Sequence, residues 1–153
     1  DNVLDAYKTF NHSHPMIMSF LKFAVLATVG EVIGLRIKTG NFTEPGVGIL
    51  PRALVWGFIG LTIKLAFTIF YTGTPLFLEK TLGLEGAQKY LAGPLTINKV
   101  AMAFAVSVAM NFMYAPVMMT FHKITDTHIS NNGGKLRGLF RPLPLRKIFR
   151  ELE

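Results

Sequence analysis

The chain has 153 residues, half of them hydrophobic and 16% charged, with a formal net charge of +7, no cysteine and a mean hydropathy of +0.39. That balance is too apolar for an ordinary soluble domain, and the lack of cysteine excludes disulfides and thiol chemistry. The apolar residues fall in long blocks, which predicts an all-α fold: a polytopic transmembrane helical bundle of about three spans followed by a basic amphipathic tail.

The first predicted span covers 16–35. It holds Lys22 and a patch at helical spacing, Ala27, Gly30, Glu31 and Gly34, in which small residues surround one carboxylate. A connector, KTGNFTEPGVGILP at 38–51, carries the Gly, Pro and Asn residues that stop helices. The second span covers 53–72, where Ala53, Gly57, Gly60, Lys64, Thr68 and Tyr71 share one face, small at one end and polar at the other. Gly30, Gly34, Gly57 and Gly60 are expected to let helices approach closely.

After a second connector at 78–94 comes the third span, 97–121, with Ala103, Ser107, Asn111, Tyr114 and Met118 on one face. Lys99, near the outer end of this span, is read as snorkelling to the interface. Beyond His122 the chain turns polar and basic, running through a flexible NNGG at 131–134 into KLRGLFRPLPLRKIFRELE. Residues 1–125 are thus expected to form the transmembrane domain and 126–153 a basic tail on the cytosolic side. Arg137, Arg141, Arg146, Lys147 and Arg150 are expected to meet anionic lipid headgroups. Beside three spans this is a better account of the positive charge than nucleic-acid binding, so no nucleic-acid partner is expected.

Three spans place the 36–52 connector and the tail on one side of the membrane. That side carries ten of the sixteen lysines and arginines, as the positive-inside bias requires, and leaves the N-terminus opposite. Counted inward from it at 1.5 Å per residue, Glu31 lies about 8 Å deep, Asn111 about 16 Å, Lys64 about 18 Å and Lys22 about 21 Å. Charges at such depths survive only with partners or water. Lys64, Asn111, Ser107, Thr68, Tyr71 and Lys22 are therefore candidates for lining a polar path, with Glu31 anchoring or gating it from the basic side. The alternative readings are structural: Lys64 bonded to carbonyls or snorkelling, and Glu31 as an interhelical hydrogen-bond anchor.

The histidines His12 and His14 fall on the opposite side from His122 and His128, so the four cannot converge on a metal within one chain. HKITDTH, with His122, Asp126 and His128, offers at most a weak surface site. The chain has no GxSxG, P-loop, HExxH or dinucleotide fingerprint. The expectation is no enzyme activity, no catalytic residue, no metal and no cofactor.

Three stretches resemble the Mpv17/PMP22 family of small integral membrane proteins. Gly30-Glu31-Val-Ile is similar to the family's Gly-Asp motif, with Glu31 in the Asp position. Arg52, Gly57, Gly60 and Phe70-Tyr71 are similar to its Arg, glycine-rich stretch and Trp-Tyr, with Lys64-Leu65 near the place of an absent Gly-Pro. Met110-Asn111 ahead of Ala115-Pro116 is similar to its Asp-Gln before Ala-Pro. The family usually has four spans, so either a truncated chain or a last span outside this sequence is expected.

The resemblance implies a channel or pore for small solutes in a bacterial inner membrane, or an organelle membrane if the source is eukaryotic. Three helices are few for a pore, which implies a homo-oligomer or further membrane subunits. The alternative function is a structural or assembly subunit that docks through its small-residue faces and basic tail.

Overall fold

The computed structural model describes residues 2–152 and is all-helical, with no strand among the described residues. The elements are α1 (Val3–Ser13), α2 (Pro15–Thr39), α3 (Ile49–Lys80), α4 (Ala87–Ala92), α5 (Ile97–Met113), α6 (Ala115–Asn131), α7 (Leu136–Leu139) and α8 (Leu145–Leu152). By length and composition, α2 and α3 can each cross a membrane, and α5 with α6 can form a third, bent span.

The first two spans agree with expectation and run longer. Pro15 opens α2, where its missing N–H costs nothing, and Gly40 at φ +81° closes it by donating to the Arg36 carbonyl at 2.9 Å. The 32 residues of α3 extend about 48 Å, beyond a hydrocarbon core of about 30 Å.

The third block is not the single helix expected over 97–121. It breaks at Tyr114 into α5 and α6, bent by 42°, because Pro116 has no N–H and its ring crowds the carbonyl one turn back. α6 then continues to Asn131, so the first residues of the expected tail are helical. The N-terminal helix α1 was not expected either.

The chain divides into two compact units, one made of the segment up to Thr62 together with that from Thr120 onward, the other of Ile63–Met119. In the first unit α2 lies directly on α3. A Cβ placed on Gly57 would stand 2.5 Å from the Phe20 ring, and one on Gly60 would stand 2.7 Å from Phe23 Cβ and 2.8 Å from the Ser19 carbonyl. Ser19 Oγ also donates to the Gly60 carbonyl at 2.8 Å. Gly57 and Gly60 thus serve the close approach assigned to them. Gly30 and Gly34 do not, since an added Cβ at either would meet nothing within 4 Å.

The NNGG segment forms a hydrogen-bonded turn. Gly134 N–H donates to the Ile129 carbonyl at 2.9 Å, and Asn132 Nδ2 donates to the His128 carbonyl at the same distance. Gly48 and Gly134, both at positive φ, touch through their backbones: a Cβ on Gly48 would lie 2.7 Å from Gly134 Cα. The α2–α3 connector is thereby seated on the end of α6. Farther along, Ile148 of α8 is buried while Arg146, Lys147 and Arg150 of the same helix are exposed.

In the second unit α4 packs on α5 through Ala87, Leu91, Met102 and Val106, with Phe70 and Leu78 of α3 closing over them. Thr96 caps α5 by accepting from Lys99 N–H at 3.3 Å, and Lys99 Nζ reaches back to the Gly93 carbonyl at 2.6 Å.

Candidate functional site

Five side chains from three helices of the first unit converge on Arg52. On α3, Arg52 and Trp56 are four residues apart and project from one face; on α6, His122, Asp126 and Ser130 repeat at the same interval; α2 supplies Glu31. Arg52 Nη1 donates to Asp126 Oδ2 at 2.7 Å and to Glu31 Oε2 at 3.3 Å, while Nη2 lies 3.5 Å from Ser130 Oγ. Its Nε donates to the Val47 carbonyl at 2.6 Å, which fixes the guanidinium plane against the connector.

Trp56 Nε1 donates to the other Glu31 oxygen, Oε1, at 2.8 Å. The Trp56 and His122 rings lie 4.4 Å apart, and His122 Nε2 faces Glu31 Oε1 at 3.5 Å and Asp126 Oδ2 at 3.6 Å. The four ionisable side chains are only 14–22% exposed. Two carboxylates face one guanidinium, so with a neutral imidazole the cluster carries one negative charge in excess. Asp126 Oδ1 and His122 Nδ1 are buried without a hydrogen-bond partner among the described residues. Glu31, Arg52, Gly34, Leu35, Lys38 and Val47 line an open groove of about 260 Å³, so the cluster borders open space along its Glu31–Arg52 edge.

A second feature lies wholly within the second unit: a cavity of about 370 Å³, largely apolar, into whose wall Tyr71, Ser107 and Asn111 bring polar atoms. Asn111 Nδ2 is turned back to the Ser107 carbonyl at 2.8 Å. Three of the residues expected to line a polar path do line this cavity, and Lys64 and Thr68 do not. Both of the latter are exposed, and Thr68 Oγ1 donates to the Lys64 carbonyl at 3.0 Å. Lys22 is engaged in the first unit, donating to Asn11 Oδ1 at 2.8 Å with its ammonium 5.2 Å from the centre of the Tyr7 ring.

The chain matches no protein-family model, no curated protein and no solved structure.

The basic residues expected at a lipid surface, Arg137, Arg141, Arg146, Lys147 and Arg150, are all exposed. Arg141 Nη1 donates to Asn132 Oδ1 at 3.2 Å, and Lys147 lies 3.7 Å from Glu151, one turn on. His122 and Asp126 do not join His128 in a surface site. They turn inward to Glu31, whereas His128 is 2% exposed with both ring nitrogens lacking a partner among the described residues.

Of the cluster, sequence reasoning put only Glu31 among the candidate path residues. Arg52 was counted with the connector and His122 and Asp126 with the polar stretch beyond the third span. The missed signal was periodic: adding four to Met118, the last member of the third-span face, gives His122, then Asp126, then Ser130.

Proposed function

We propose that the protein is a member of the Mpv17/PMP22 family that passes small polar solutes across a membrane, with the Glu31–Arg52–His122–Asp126 cluster as its gate. The carrying observation is that cluster: four ionisable side chains, mostly buried, drawn from three helices of a chain whose helices are long and apolar enough to span a bilayer. Ionisable groups in such helices are expensive to keep, and they commonly mark solute or ion pathways. In this reading Glu31 and Arg52, two positions that carry the resemblance in separate helices, pair at 3.3 Å. In this reading the salt bridges hold the helices together in the closed state, and a solute reaching the groove beside Lys38 competes for them. The exposed basic residues of α7 and α8 rest on anionic headgroups, in a bacterial inner membrane or its organelle equivalent.

The test is solute efflux from liposomes reconstituted with the full chain. Glu31→Gln keeps the side chain's shape and its acceptor for Trp56 while removing the charge, and it should raise efflux several-fold by loosening the gate. No flux with the wild type, or identical flux in the variant, would sink this reading.

One observation favours an assembly subunit instead: the small face of α2 at Gly30 and Gly34 is open, the geometry a docking helix uses. Stable co-purification of a second membrane protein, lost in Gly30→Leu/Gly34→Leu, would select that function.

A further inference from the structure

We propose that Glu31, His122 and Asp126 form a binding site for a divalent transition-metal ion of the zinc class, with Arg52 and Trp56 as outer-sphere donors. This does not rest on the translocation reading.

Each of the three residues offers one ligand atom, and those atoms all lie within 4.8 Å of one another. The two His122 separations are compatible with metal ligation. At 3.5 and 3.6 Å, the Nε2 to Glu31 Oε1 and Asp126 Oδ2 distances are too long for good N–H···O bonds. They match two edges of a tetrahedron whose ligands stand 2.0–2.2 Å from zinc, roughly 3.3–3.6 Å apart.

One imidazole and two carboxylates are hard to borderline ligands, suited to Zn²⁺ or Mn²⁺ rather than to a thiophilic ion. The charge agrees. The excess negative charge of the cluster is met by a dication, which leaves the site with one net positive charge.

Arg52 and Trp56 already occupy the outer positions of such a site. Arg52 Nη1 donates to Glu31 Oε2 and Asp126 Oδ2, and Trp56 Nε1 donates to Glu31 Oε1, so each carboxylate is held by a neighbour. Donors of this kind orient ligating carboxylates. Asp126 Oδ1 has no hydrogen-bond partner among the described residues, which leaves this carboxylate acceptor capacity that the ion pairs do not use. Of the three ligands, Glu31 also lines the open groove.

The experiment uses the full chain, without a histidine tag, in nanodiscs, titrated with Zn²⁺ in competition with a chromophoric chelator. One zinc per chain is expected, with affinity lowered at least about ten-fold in His122→Ala and in Glu31→Gln. The double variant His12→Ala/His14→Ala should bind as the wild type does. Circular dichroism and gel filtration report whether each variant folds. If His122→Ala does not, Glu31→Gln decides alone, since it preserves the side chain's size and the Trp56 contact. Sub-stoichiometric wild-type binding, or unaltered affinity in a folded Glu31→Gln, would overturn the site. Flux through the membrane plays no part in the readout, so a failed efflux assay leaves this result standing.

Discussion

Arg52 balances two carboxylates that would otherwise be buried without a cationic partner, and the cost of removing it should be correspondingly large. Arg52→Gln is expected to destabilise the protein by about 3 kcal/mol, read from denaturant unfolding in detergent. Arg52→Lys should recover only part of this, because an ammonium cannot hold the Val47 carbonyl, Glu31 and Asp126 at once in the fork geometry of a guanidinium. His128 predicts the opposite sign. Its two ring nitrogens are buried without partners among the described residues, so His128→Leu exchanges unsatisfied polar atoms for apolar contact of similar size. The same unfolding measurement should show a gain of about 1 kcal/mol.

The glycines of α2 and α3 look alike in sequence and differ in what surrounds them. Gly57→Ala and Gly60→Ala must push a Cβ into Phe20, or into Phe23 and the Ser19 carbonyl, and should each cost about 1–3 kcal/mol. Gly30→Ala and Gly34→Ala meet nothing and should stabilise α2 by up to about 1 kcal/mol, the ordinary preference of a helix for alanine. Thermal unfolding of the four single variants separates the two pairs. Block length and apolar content were enough to locate α2 and α3, because a bilayer demands about 20 apolar residues whatever the packing. They could not locate the bend at Tyr114, where Pro116 interrupts a block that reads as uniformly apolar. They also could not show that His122 and Asp126 stay on a helix, because local polarity reads as the end of a span while long-range pairing with Arg52 and Glu31 keeps these residues inside the fold. Lys64 was the converse case. Its helical face is real, yet the cavity takes Tyr71 from that face and leaves Lys64 outside.

For the molecule as a whole, the contact between Gly48 and Gly134 constrains how many times the chain crosses. The α2–α3 connector and the turn after α6 touch, so they lie at one surface, and the chain that leaves along α3 must come back along α5 and α6. The bent pair should therefore cross the membrane rather than dip into one leaflet. Because the chain has no cysteine, single cysteines can report this cleanly. Cysteines at Thr43 and Lys135 should react with an impermeant thiol reagent from the same side of sealed vesicles, and one at Thr81 from the other; labelling of Lys135 together with Thr81 would refute the third crossing. The borders of the two compact units fall at Thr62/Ile63 within α3 and Met119/Thr120 within α6, not in loops. Cutting the chain at either border would strip about four N–H and about four C=O groups of their helical partners. Each border thus interrupts a continuous helix, so either unit expressed alone is expected to carry helix ends with unsatisfied backbone groups.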